Sequence, residues 1–219
     1  MLRQTDFQGN PFIGVFCVCS DKVAFVPEQA EDSFINLIEE ALALEVARLS
    51  IDGSPLLGSL VVMNSKGAVA ADFATRSDVD KMSPWVDVTR IEDLLNAVGN
   101  NIVANDNGAL VHPEVSDETL ALISEALKVD AARGTVGEMK TVGACAVSTN
   151  KGVLVHPRVS EEEKEVMEEL FNVSIGVGTA NFGSPLLGAA MVCNSQGGLA
   201  GSKTTGVELN RIEDVLELY

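Results

Sequence analysis

The hexapeptide Gly53-Ser54-Pro55-Leu56-Leu57-Gly58 recurs unchanged as Gly183-Ser184-Pro185-Leu186-Leu187-Gly188, and a looser copy, Gly9-Asn10-Pro11-Phe12-Ile13-Gly14, stands near the start. The closing glycine of that phrase has counterparts at Gly14, Gly58, Gly99, Gly143 and Gly188, spaced by 44, 41, 44 and 45 residues. A hydrophobic run follows each of them, and a polar turn then ends eight or nine residues after the glycine. Self-similarity at this period signals a repeat architecture, in which each unit buries its apolar face against its neighbours. Five copies of one unit are read.

Residues 1–13 precede the first marker and residues 188–219 follow from the last; together they span 45 residues, one full period. The fifth unit is therefore expected to be split, its N-terminal part finishing what its C-terminal part begins. An open solenoid would need polar caps at both ends, because its terminal repeats have one neighbour only. No such caps stand in the sequence, so a closed five-fold ring is expected, which also removes exposed strand edges. The units run over about 14–57, 58–98, 99–142, 143–187, and 188–219 joined to 1–13. All 219 residues are used by one domain, with no linker between units.

Each unit reads as strand, turn, strand, helix, strand. Asn101–Ala104, the turn Asn105–Gly108 and Ala109–Pro113 form one predicted hairpin, and Ala144–Val147, Thr149–Gly152 and Val153–Pro157 another. Short apolar runs around an Asn/Gly turn favour this geometry. The turn returns as Asn64-Ser65-Lys66-Gly67 and Asn194-Ser195-Gln196-Gly197, and as Ser20-Asp21-Lys22 in the first copy, where Pro27 is expected just past the second strand. Helices are predicted from the capping box at Ser160, from Ser116 and Thr205, and over Glu31–Glu45, each with apolar residues on one face. Val86–Val88, Val129–Ala131 and Val173–Ile175 alternate and read as third strands. Thr89–Glu92 resembles a further capping box, but the register of the repeats argues for strand there.

Cys17, Cys19, Cys145 and Cys193 all fall where the first strand of a unit is expected, among small apolar residues, and read as reduced core thiols. Cys17-x-Cys19 has no second half for a zinc site. His112 and His156 occupy equivalent positions before proline, which argues for a repeated structural role. No metal or cofactor is expected. A formal charge of −17 disfavours broad binding to a phosphate backbone and suits basic protein partners. Any nucleic-acid contact would be local, through residues such as Lys66, Lys151 or Lys203. Apolar runs fall far short of the ~20 residues of a membrane span, and Met1–Asp6 lacks an apolar leader core, so a cytoplasmic protein is expected.

The strings Asn96-Ala97-Val98-Gly99-Asn100, Asn105–Pro113, Thr141-Val142-Gly143, Asn150–Pro157, Gly178–Gly183 and Thr204–Leu209 resemble the archaeal and eukaryotic translation initiation factor 6 family, in order and spacing, from residue 8 to 216. The resemblance implies an α/β pentein fold, a five-fold pseudo-symmetric propeller of strand-strand-helix-strand repeats closed by the N-terminal strand. It implies binding to the large ribosomal subunit, beside the sarcin–ricin loop of its RNA and on basic ribosomal proteins. There the family blocks joining of the small subunit and takes part in large-subunit maturation. It implies a monomer without enzymatic activity, membrane partner or small-molecule substrate. The chain stops at Tyr219, so the C-terminal tail of eukaryotic members is missing and the archaeal type is the nearer likeness. Ala180 stands where valine is common.

Asn10, Ser54, Asn100 and Ser184 are expected at comparable places beside the glycine markers, as ribosome-contacting residues. Asn100 leads, since it matches the Gly-Asn turn of the family, and Asn181 is a weaker candidate. The rival reading is enzymatic: pentein folds also carry guanidine-modifying enzymes, for which Cys193, His156 and Asp72 would be the nearest candidates. A structural ring without a ribosomal partner is a third reading, and no feature of the sequence supports it.

Overall fold

Each hairpin read from the sequence forms two strands of a three-stranded sheet; in four sheets the strand after the helix supplies the third, and in the fifth the N-terminal strand does. A computed structural model describes all 219 residues and contains five such sheets. They comprise Val18–Cys19, Val23–Pro27 and Glu45–Leu49; Val61–Met63, Ala68–Ala71 and Val88–Ile91; Ile102–Ala104, Gly108–Val111 and Asp130–Arg133; and Ala146–Ser148, Gly152–Val155 and Ser174–Val177. The fifth joins Met191–Cys193 and Gly198–Gly201 to Leu2–Thr5. In every sheet the first two strands are antiparallel, and the third lies parallel to the second, as βαβ crossovers require. The N-terminal strand sets Leu2 opposite Gly198 and Thr5 opposite Gly201.

The crossover helices are Asp32–Leu42, Arg76–Met82, Asp117–Leu127 and Glu161–Phe171, and a fifth helix, Gly206–Leu216, follows the last hairpin. The N-cap hydroxyls of Ser160 and Thr205 accept from the third residue of their helices, whose carboxylates return the bond. Thr75 does the same for the second helix, which the sequence reading passed over. Four helices end in a left-handed residue, Ala43, Lys128, Asn172 or Glu217, which closes the last turn. Ala43 therefore stops the first helix earlier than expected. Thr89–Ile91 is strand, as the repeat register required.

The cores lie between units. Ile123 and Leu127 of the third helix pack with Val62 and Val69 of the second sheet and Ala109 and Val111 of the third. Met167 and Phe171 join the third and fourth sheets through Leu110 and Val155, and Ile212 and Leu216 join the fourth and fifth through Leu154 and Ala200. Ile38 and Leu42 of the first helix pack on Val192 and Leu199 of the fifth sheet. Burying each such side chain contributes roughly 1.5–3 kcal/mol.

At the marker glycines the structure departs from expectation. The apolar run does not begin as a strand; each glycine lies in a single helical turn, Ile13–Val15, Leu57–Leu60, Val98–Asn101, Val142–Cys145 and Leu187–Ala190. These turns are packed backbone to backbone. A Cβ on Gly58 would sit 1.8 Å from the Gly14 oxygen, on Gly99 2.0 Å from that of Gly58, and on Gly143 2.2 Å from that of Gly99. On Gly188 it would sit 1.8 Å from the Gly143 oxygen, and on Gly14 2.0 Å from that of Gly188, so the contacts return to their start. Glycine is needed here for close approach. The extra helical turn also moves two cysteines: Cys17 lies before its strand and Cys145 ends a helical turn, while Cys19 and Cys193 are in strands as expected. Pro27 is the last residue of its strand rather than just beyond it, a position where no ladder donor is required.

Candidate docking face

Each helical turn is entered through a tight loop, and four of these loops are pinched by an isolated bridge: Phe7 to Asn10, Ile51 to Ser54, Val136 to Met139 and Ala180 to Ser184. Their tips take positive φ at Gln8 and Gly9, Asp52 and Gly53, Gly137 and Glu138, and at Asn181, Phe182 and Gly183. Backbone of this kind persists only when its surroundings fix it. In three units the fixing group is a carboxylate at the third position of the following helix. Asp78 accepts from the Asp52 N–H at 2.9 Å, and Glu163 from Gly137 N–H at 2.9 Å and Glu138 N–H at 3.2 Å. Glu208 accepts from Phe182 N–H at 3.2 Å, Gly183 N–H at 2.7 Å and the Thr179 hydroxyl at 2.7 Å. Burial alone would raise Glu208, but donors from Thr205, Gly183 and Thr179 outweigh it and hold its pKa down at about 2. Asp78 and Glu163 are lowered by the same balance of burial against donated bonds.

The other two units solve the problem differently. Thr119 donates to Asp93 at 2.9 Å in the third. In the first, Phe34 stands where the carboxylate would be and packs on Phe7 with ring centroids 5.3 Å apart. The sequence shows a capping box at Ser160 and a helix start at Thr205, yet the second task of each carboxylate, holding a loop about 25 residues away, leaves no local signal.

These loops and the helix N-termini they touch form one end of the molecule, here the loop face. Large apolar side chains stand out on it: Leu94 is 100% exposed, Val207 83% and Phe182 80%, with Leu56, Met139 and Leu186 partly so. Asn10, Ser54 and Ser184 occupy equivalent loop positions, and each side chain accepts from the backbone two residues on: Phe12 N–H at 2.9 Å, Leu56 N–H at 3.3 Å and Leu186 N–H at 3.3 Å. Asn100 is not their counterpart. The other three precede their glycine by four residues, whereas Asn100 follows Gly99 inside the helical turn Val98–Asn101. Its half-buried side chain makes no hydrogen bond within the chain. Asn181 is buried; its amide donates to the Pro11 carbonyl at 2.8 Å and ties the last loop to the N-terminal segment.

A sequence profile of the eIF-6 family matches residues 2–215. The chain belongs to the eIF-6 family. Its relatives include a protein of Methanococcoides burtonii, 46% identical over 99% of both chains, and one of Methanocella arvoryzae, 43% identical over 99% of this chain and 98% of the relative. One of Thermoplasma acidophilum is 39% identical over 99% of this chain and 100% of the relative. All three are named Translation initiation factor 6. A crystal structure of a dimethylarginine dimethylaminohydrolase adduct with S-methyl-L-thiocitrulline superposes with a TM-score of 0.47 at 14% identity, covering 76% of this chain and 68% of the other. That likeness is too slight to carry an argument.

In this eIF-6 family chain the residues of the enzymatic reading are not joined by hydrogen bonds. Cys193 is buried, and burial pushes its thiol up to about 12 despite a backbone donor at Leu199, away from the thiolate a nucleophile needs. His112 and His156 do share one role. Each ring Nδ1 accepts the backbone N–H two residues on, from Glu114 at 3.1 Å and Arg158 at 3.0 Å, and so shapes the turn before a helix. No helix is long and apolar enough to cross a membrane.

Proposed function

We propose that this protein acts in translation initiation by binding the large ribosomal subunit and sterically preventing the small subunit from joining it, with a further part in large-subunit maturation. The observation that carries the reading is full-length similarity, at 39–46% identity, to proteins named Translation initiation factor 6. The mechanism needs no covalent step. A standard protein interface takes about 800 Å² from each partner, a small share of the 9224 Å² this chain exposes. The loop face is the docking surface in this reading. Its protruding apolar side chains are the kind that fill partner pockets, and their braced backbone loses little entropy on docking. Asn100 is the central polar contact, because its amide has no competing partner in the chain. Asn10, Ser54 and Ser184 flank the contact, and Asn181 positions the last loop from within. The net charge of −17 suits basic ribosomal proteins beside that surface.

The test is sedimentation of purified subunits. Added protein should co-migrate with the large subunit only and lower the fraction of joined ribosomes. Asn100→Ala should weaken both effects. Binding to both subunits, or joining unchanged at saturating protein, overturns the proposal.

A further inference from the structure

The second helix, Arg76–Met82, has 7 residues where the other four have 11. It stops at Ser83-Pro84, as helices do before proline, and Trp85 N–H closes back on the Met82 carbonyl at 3.1 Å. Elsewhere the missing turn of helix presses on the preceding unit's hairpin, so that a Cβ on Gly67 would lie 1.8 Å from the Ala126 oxygen. Here the hairpin position is Val23, and at the same end of the molecule a groove of about 440 Å³ runs between Lys22, Lys66, Lys128, Trp85, Ser65 and Asp87. In a chain where carboxylates outnumber cations 32 to 15, this groove holds three lysines and one aspartate.

The lysines are only partly used. Lys66 donates to the Lys128 carbonyl at 3.3 Å, Lys22 to the Ser65 carbonyl, and Lys128 pairs with Asp87 at 3.1 Å. An ammonium has three donors, so each keeps others free. Trp85, the sole tryptophan, is half-buried with its ring edge-on to Phe25, and its indole N–H has no partner in the chain. Cations flanking an aromatic wall are how single-stranded nucleic acid is held, phosphates on the lysines and a base against the ring. An acidic peptide would use the lysines and leave the indole idle.

We propose that this groove binds a short single-stranded RNA segment. The groove lies at the end opposite the loop face, so the proposal stands apart from the docking reading. Because the surrounding charge is negative, only a few nucleotides are engaged, within the Debye length of about 8 Å at physiological salt.

The fluorescence of Trp85 reads the groove directly. Titrating the full chain with a six-nucleotide oligoadenylate should give saturable quenching. With three phosphate contacts, affinity should fall roughly eighteenfold between about 50 and 200 mM salt. Joint Lys22→Gln, Lys66→Gln and Lys128→Gln substitution should weaken binding at least about tenfold. Asp87→Asn, which releases Lys128 from its only ion pair at an exposed site, should tighten it two- to fourfold; it serves alone if the triple variant does not fold. Unchanged fluorescence, an equal response to polyglutamate or tripolyphosphate, or no gain from Asp87→Asn overturns the proposal.

Discussion

The two ends of the molecule use one repeat in opposite ways. At the hairpin end, polar groups are passed from unit to unit around the axis. Ser65 N–H donates to Asp106 at 2.7 Å, Asp106 N–H to Asn150 at 2.9 Å, Asn150 N–H to Ser195 at 3.2 Å, Ser195 N–H to Asp21 at 2.7 Å, and Lys22 reaches Ser65 again. The Asn150 amide also bridges the Asp21 and Asp106 carboxylates at 2.8 Å each. At the loop face the five units hold their loops by three different devices, carboxylate, hydroxyl and aromatic stacking, and leave apolar tips in solvent. The shared network is carried by Asp, Ser and Asn side chains, each of which must meet its neighbour's backbone N–H. Separate braces need not match one another, and the freedom appears as side chains turned outward.

The sharpest way to break this comparison is to open the hairpin end. Removing residues 1–7 leaves Gly198–Gly201 without its parallel partner. Cooperative unfolding should be lost, and a normal thermal melt would show that the N-terminal strand contributes nothing. Gly99→Ala comes next. Its Cβ meets backbone oxygens of Gly58 and Val61 at 2.0 and 2.8 Å, which no rotamer relieves. About 4 kcal/mol or more should be lost, a fall in Tm of roughly 10 °C.

Glu208→Gln tests the loop-face brace and should cost about 3 kcal/mol at neutral pH, given a carboxyl held near 2 against an ordinary 4.5. Because the folded pKa is depressed, that stability is complete above about pH 4.5 and lost as pH falls toward 2. Asp78 and Glu163 add in the same sense. His156, lowered chiefly by burial and then by Arg158, likewise loses its contribution as pH falls below 6.5. Chemical denaturation across pH should thus show a shallow decline through the histidine range and a steep one below about 4.5, the latter blunted in Glu208→Gln. The smallest effect on folding is expected for Asn100→Ala, within about 0.5 kcal/mol, and a larger loss in the melt would make that asparagine structural.

The repeat, the hairpins and four of the five helices were legible because their signals are local: a glycine period, Asn/Gly turns, capping boxes. The helical turns at Gly14 to Gly188 were not, since an apolar run of four residues reads alike as helix or strand. What decides it is the approach of another unit's carbonyl. The second helix escaped for the opposite reason: at 7 residues it is too short to show a periodic face. Asn100 was grouped with Asn10, Ser54 and Ser184 by nearness to a glycine, but it lies on the other side of that glycine, within the helical turn. Glu208 reads in the sequence only as part of a helix start, while its grip on Gly183 spans 25 residues and is legible only in space.

The N-terminal amine donates to the carbonyl of Gln196, 195 positions away, beside the strand that completes the fifth sheet. During synthesis the first strand made must therefore wait for nearly the last residues before it can pair. Such a long-range closure is slow and comes late. The strand that completes the fifth sheet is thus the one whose pairing comes last in folding.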